Sequence, residues 1–426
     1  MDAPKPSLDQ HRTISNNHSR IPLKRWLLII GIIIVAANLR TPLTSVGSLV
    51  SLIRDDLWLS NTLAGLITTV PLVAFALLSP FIPKLGRRYG IERSILISLI
   101  VLTIGIMIRS LSGVATLYVG TALLGLAITV CNVLLPSLIK REFPKHMGSM
   151  TGIYSVSMNL CGAIASGISI PLAVGAGLSW QGALGIWGVL SMISILFWLP
   201  QLKPSAKPVT IASNQAGKQP MKIWRSGLAW QVTLFMGIQS IIFYVLVAWL
   251  PEILQSQGIG SSQSGWYLSI LIMASLPCAF IVPIVAGRMR NQYLLVIMTS
   301  VSLVIGSLGL VYSSIYWLAI WVIILGLGGG SAFGLSMMFF GLRTRNALQA
   351  AELSAMAQSI GYLLAALGPA FIGFLHDVTH GWGLPLMLLV VASALLGVIG
   401  LGAARNRFVD SGDCNNQAIV EYKRSK

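Results

Sequence analysis

Apolar stretches of about twenty residues recur along the whole chain, and no other feature constrains its fold as tightly. A helix needs about 20 apolar residues to cross the roughly 30 Å hydrocarbon layer of a bilayer. Such segments lie near 26–53, 62–83, 94–112, 116–139, 149–173, 180–200, 227–250, 263–285, 293–312, 316–340, 352–375 and 384–404. None alternates in the way a barrel strand does. Inside hydrocarbon only helices and closed barrels satisfy every backbone group. The expected fold class is therefore all-α integral membrane, with twelve transmembrane helices. Only 10% of the residues are charged, against roughly a quarter in a soluble domain. A soluble chain so composed would expose large apolar patches. The 42 glycines suit close helix–helix approach in a membrane.

The formal net charge is +17, and its distribution carries the information. Of 29 Lys and Arg, 26 fall in alternate connections: 1–25, 84–93, 140–145, 203–225, 288–290, 343–345 and 405–426. The other connections hold only Arg54, while Arg40 and Arg109 lie within spans. This is the positive-inside pattern. It predicts a multi-pass protein of the cytoplasmic membrane with both termini cytoplasmic, and it explains the basicity without a nucleic-acid partner. Residues 1–25 are polar and the first apolar segment is too long for a signal-peptide core, so no cleavable leader is expected. Cys131, Cys161 and Cys278 fall in spans and Cys414 in the tail, which predicts no disulfide.

A Pro-, Ser- and Lys-containing stretch at 201–225 reads as a flexible cytoplasmic linker. It separates a six-helix half at 26–200 from another at 226–404, with cytoplasmic tails at 1–25 and 405–426. The halves look related. An offset of 200 pairs Gly65 with Gly265, Pro83 with Pro283 and Arg88 with Arg288. Offsets of 201 and 202 pair Gly125 with Gly326 and Trp180 with Trp382. A duplicated six-helix unit follows.

Several strings carry a more specific likeness. After span 2 come Pro83, Lys84, Leu85, Gly86, Arg87, Arg88, Tyr89 and Gly90; span 1 contains Asn38-Leu39-Arg40-Thr41-Pro42-Leu43-Thr44-Ser45-Val46-Gly47. To these add Asn132 through Lys140, Tyr154 through Asn159, Trp230 through Gly237 with Gln239-Ser240, and Trp249-Leu250-Pro251. Over nearly all of 26–404 the chain resembles the cyanate permease and 2-nitroimidazole transporter family of the major facilitator superfamily. The resemblance implies two parallel six-helix repeats, a site near the midplane between them, and transport of small anions or small nitro-heterocycles. It also implies a gating loop at Gly86, Arg87 and Arg88, although the Asp usual in that loop is absent. Thr41 intervenes where the family usually has Pro directly after the Arg.

Arg40 lies near the middle of span 1, roughly 20 Å from either end at 1.5 Å per residue, too deep to snorkel. An arginine there costs from about 2.5 to more than 10 kcal/mol depending on the scale. The twelve acids all map to tails, loops or span ends. An unpaired guanidinium facing a cavity would bind a small anion through its planar fork. The alternative is a structural Arg bonded to carbonyls freed around Pro42. Asn38 either lines the same cavity or caps a helix broken at Pro42. Arg109, near the outer end of span 3, is either a second anion contact or a snorkelling side chain. Asn132, Gln239, Tyr244, Gln358 and Tyr362 offer uncharged polar groups, either to the substrate or as interhelical glue. Gln358 and Tyr362 are four apart and share a helix face.

No phosphate-binding loop, metal-ligand spacing or nucleophile elbow is present. The expectation is therefore a transporter rather than an enzyme, without a cofactor. Its partners are a small-molecule substrate and the lipid bilayer, and the duplicated unit is compatible with a monomer. Span cores hold no carboxylate or His to relay protons. That leaves uniport, anion exchange, or symport of a proton carried on the substrate. Import of a cyanate-like anion competes with efflux of a nitroimidazole-like compound. A membrane enzyme would need clustered acids or His, and a sensor would need a larger signalling domain.

Overall fold

Backbone groups in hydrocarbon have no water to bond, so each apolar segment closes its hydrogen bonds on itself as a helix. A computed structural model describes residues 23–202, 223–312 and 315–409. Most of the expected tails and most of the linker at 201–225 lie outside the described residues. Among those described, twelve helices are long and apolar enough to span: α1 (Leu23–Asp56), α2 (Leu63–Tyr89), α3 (Ile91–Arg109), α4 (Val114–Glu142), α5 (Pro144–Gly175), α6 (Ser179–Leu202), α7 (Gly227–Ser256), α8 (Gln263–Arg288), α9 (Tyr293–Tyr312), α10 (Leu318–Leu342), α11 (Ala347–Thr379) and α12 (Gly383–Ala403). Their outward faces are apolar and exposed, as at Leu77, Leu196 and Val398, which suits contact with lipid tails.

The duplication is visible in the helix crossings. On α4, a Cβ at Gly125 would lie 2.8 Å from Ala74 Cβ and 3.1 Å from Pro71 Cα of α2. On α10, a Cβ at Gly326 would lie 2.7 Å from Ala274 Cβ and 2.4 Å from Leu271 O of α8. These partners are 200 or 201 residues apart. Gly105 against Leu124 in one half repeats as Gly306 against Leu325 in the other. At Gly125, Gly306 and Gly326 a Cβ would come within 3.0 Å of the facing helix, and at Gly105 within 3.1 Å, so these crossings favour glycine.

Two local expectations change. Helix α1 runs through Pro42 without a break, because Pro at that site removes one hydrogen bond and the packing around it holds the helix. The stretch containing Gly86, Arg87 and Arg88 is helical as far as Tyr89. The turn falls at Gly90, whose φ of 86° favours a residue without a Cβ.

All described hydrogen bonds and ion pairs between the halves lie between the middle of the bundle and the basic end. Arg87 of α2 pairs with Glu352 of α11 at 3.0 Å. Lys140 of α4 donates to Gly341 O at 2.6 Å, to Thr344 Oγ1 at 2.8 Å and to Thr344 O, at the end of α10. Ser137 donates to Ala347 O. Deeper in, Ser359 Oγ donates to Ala76 O and Gln358 Nε2 to Asn132 O at 2.9 Å. Gly148 of α5 sits where a Cβ would meet Pro283 O of α8 at 2.4 Å. These contacts tie the halves together towards the basic end.

Candidate substrate site

The site begins with how α1 is held. Thr44 Oγ1 donates to Gly162 O of α5 at 2.7 Å, and Ser48 and Ser166 share a hydroxyl hydrogen bond at 2.7 Å. This ladder fixes which face of α1 meets α5. Gly162 then accepts the stem of Arg40: a Cβ there would lie 2.8 Å from Arg40 Cγ. The guanidinium extends towards α7, where its Cζ stands 4.8 Å from the centroid of the Phe243 ring. That cation–π contact is worth about 0.5–2 kcal/mol, a small offset against the cost of a charge at the middle of a span. Among the described residues Arg40 makes no ion pair.

Around it lies a cavity at the junction of the halves. Helices α1 and α5 contribute Arg40 and Asn159. Helix α7 contributes Met236, Gln239, Ser240, Phe243 and Tyr244. Helices α8, α10 and α11 contribute Ser275, Ala279, Gly329, Gly330, Phe333 and Tyr362. Arg40 is the one formal charge among these lining residues. Tyr244 rests on Phe243 with ring centroids 5.4 Å apart, and Tyr362 packs on Phe75 at 4.8 Å. Gln239 Nε2 donates to Ser240 Oγ at 2.8 Å. One cation, several neutral polar groups and aromatic walls can hold a small anion or an electron-rich ring.

The structure therefore brings Arg40, Gln239, Tyr244 and Tyr362 together. It places the other sequence-predicted residues elsewhere. Asn38 is fully buried against α6, donating to Ser194 Oγ at 2.6 Å and Ile34 O at 2.9 Å. Asn132 accepts from Tyr154 at 3.3 Å through its side chain and from Gln358 through its carbonyl, so both Asn132 and Gln358 belong to the seam below the cavity. Gln358 and Tyr362 share a face yet differ in depth, one helical turn apart. Arg109 neither snorkels nor reaches the cavity. It is fully buried, with Nη1 donating to Pro42 O at 2.8 Å. Arg109 thus makes a structural contact to the backbone of α1 beside Arg40. Gly86 packs on Leu134, Arg87 joins the seam, and Arg88 lies over Tyr89.

Sequence reasoning missed Phe243, Phe333 and the Gly329–Gly330 pair. A Gly-Gly-Gly run at 328–330 was the available signal for the last.

Comparison with known proteins bears on the family. Residues 26–369 match the family model described as Major Facilitator Superfamily. The chain belongs to the major facilitator superfamily. Three relatives match along most of both chains. An uncharacterized transporter of Bacillus subtilis is 46% identical, covering 91% of this chain and 96% of the relative. The 2-nitroimidazole transporter of Escherichia coli is 39% identical, covering 90% and 96%. The cyanate transport protein of the same bacterium is 26% identical, covering 89% and 97%. In fold, the proton:xylose symporter XylE superposes with a TM-score of 0.72 at 11% identity, covering 91% of this chain and 98% of that one. As a superfamily member the chain is a multi-pass membrane transporter and not an enzyme.

Proposed function

We propose that this transporter carries a small anion, or a small nitrogen-containing compound with an electron-rich group, by alternating access, with Arg40 as the central substrate-binding cation. The observation that carries this is the Arg40 guanidinium, without an ion pair among the described residues, lining an otherwise uncharged cavity where the halves meet. Gln239, Tyr244 and Tyr362 orient the bound solute, and the fork of the guanidinium supplies the attraction.

The basic end is the cytoplasmic end by the positive-inside pattern. Halves tied together at that end are then the outward-facing arrangement, with both termini in the cytoplasm of a cell bounded by this membrane. The lining holds no carboxylate or His, so uniport, anion exchange or a substrate-borne proton are the coupling modes that fit. Efflux of a nitroimidazole-like compound is a second reading, favoured by the 39% identity to a 2-nitroimidazole transporter.

Uptake into proteoliposomes with Arg40→Gln and Arg40→Lys tests the assignment. Losing a desolvated charge contact costs about 2–5 kcal/mol, so substrate affinity should fall by at least about 30-fold in Arg40→Gln. Unchanged affinity at normal folding would return Arg40 to a structural role. Deletion in cells separates the directions: losing an importer of a toxic solute protects, and losing an exporter sensitises.

A further inference from the structure

Three cations of the basic end keep different company. Arg87 pairs with Glu352 at 3.0 Å, and Arg141 with Glu92 and Glu142. Lys140, beside Arg141 on α4, makes no ion pair among the described residues. Its ammonium crosses the seam and makes three hydrogen bonds, as many as it has donors. All go to neutral oxygens at the end of α10: Gly341 O at 2.6 Å, Thr344 Oγ1 at 2.8 Å and Thr344 O. One turn back on α4, the buried Ser137 donates to Ala347 O, again across the seam. Lys140 lies roughly 12 Å further along α4 than Asn132, at 1.5 Å per residue. This pair of donors is therefore separate from the cavity at Arg40.

All four acceptors belong to the second half, and Gly341 O, Thr344 O and Ala347 O are backbone carbonyls that cannot follow a retreating side chain. In the proposed alternating access, parting α4 from the ends of α10 and α11 would strip Lys140 and Ser137 of these partners in one movement. Arg87 and Arg141 have carboxylates to face, and Lys140 has none among the described residues. Its charge would then stand at the cytoplasmic mouth of the path, with a hydroxyl donor one helical turn away. A small oxyanion carries several acceptor oxygens on one centre and can answer both donors at once.

We infer that Lys140 and Ser137 form a second anion site, facing the cytoplasm, which exists only while the basic end is open and takes a small oxyanion. In the closed arrangement the oxygens at the ends of α10 and α11 stand in for that ligand. A ligand that binds one state alone raises the population of that state. Cytoplasmic oxyanions therefore hold the transporter open on their own side. This rests on the alternating-access reading and not on Arg40 as the substrate-binding cation.

The test uses full-length protein in detergent, with spin labels at the basic ends of α4 and α10. Sulfate replaces gluconate at constant ionic strength, which holds charge screening fixed. The open-to-closed ratio is compared with and without sulfate within each variant, so the altered starting point of a Lys140 variant does not enter. In the wild type sulfate should raise the ratio at least about threefold, the factor for a ligand at twice its dissociation constant. Lys140→Arg should keep the rise, Ser137→Ala should reduce it, and Lys140→Gln should lose it. Arg40→Gln should keep it, because the central cavity takes no part. A rise that survives Lys140→Gln overturns the site, and its loss in Arg40→Gln would move the sulfate to the central cavity. A wild type indifferent to sulfate, while the ends still part in Lys140→Gln, means that water alone satisfies the freed ammonium. That result overturns the site and leaves alternating access standing. Ends that part in no variant overturn both.

Discussion

At the basic end, Arg141 closes the first half by pairing with Glu92 and, at 2.8 Å, with Glu142. In the second half Arg343, 202 positions on, is held by the Gln292 side-chain oxygen, by Ala403 O at 2.7 Å and by Ala404 O at 3.1 Å. Glu92 and Gln292 are themselves 200 apart. The same crossing is thus tied by ions whose side chains are 27–39% exposed in one half and by neutral dipoles, almost dry, in the other. Burial lowers the Arg343 guanidinium from its ordinary value to about 10, so it stays charged at neutral pH. The difference separates two kinds of arginine. Partly exposed pairs are worth about 0–1 kcal/mol, whereas each buried neutral acceptor left unpaired costs about 1–3 kcal/mol, and removing Arg343 leaves three. Arg343→Ala should therefore drop the melting midpoint by many degrees or abolish folded yield, and Arg141→Ala should barely move it. Comparable midpoints for both variants would show that the halves are tied alike after all.

The two arginines within the spans of the first half sharpen the contrast. Arg40 faces space between the halves, and Arg109 faces α1 from behind. Gly120 lets α3 come so near that a Cβ there would lie 2.5 Å from Arg109 N. That places the Arg109 side chain against Pro42, with Nε and Nη2 left without a partner. Arg109→Met should alter stability by about 1–3 kcal/mol, read as a melting shift in detergent. It should leave the ranking of ligands as it is in the wild type. Arg40→Gln should do the opposite. A changed ligand ranking in Arg109→Met would make it a second anion contact and remove the distinction.

These arginines show what the sequence makes legible. Position within a span and lack of an acid partner mark both, and depth marks Arg40 alone, because span position and composition are properties of the chain. Which way each points depends on Gly162 and Gly120, two glycines among 42, and on the rotation of α1 set by Thr44 and Ser48. Likewise the twelve spans and the duplication are readable from hydropathy and a nearly constant offset. Asn132 and Gln358 read equally as site or glue, since a polar side chain in a span gives the same signal in a cavity as in a seam. Phe243 and Gly329 carry no polar signal, and only their placement at the junction of the halves marks them.

The seam offers the last and smallest contrast, between two cations that cross it. Lys140 reaches three acceptors at the end of α10, where unpaired carbonyls and the helix dipole favour a positive charge. It is half buried, and its acceptors cannot be replaced by water while the seam is shut. Arg87 meets Glu352 in a pair whose arginine side chain is 42% exposed, where screening keeps the gain to about 0–1 kcal/mol. In the proposed alternating access, opening the basic end would break both. Lys140→Met should therefore shift the population towards the state open at that end by about tenfold, near 1.4 kcal/mol. The shift would be read as a longer spin-label distance between the basic ends of α4 and α10. Arg87→Gln should shift it by less than about fivefold, and that small effect should vanish at high salt, where exposed charges are screened. An Arg87 effect that exceeds the Lys140 effect and resists salt would place the lock in the ion pair and leave Lys140 as helix capping alone.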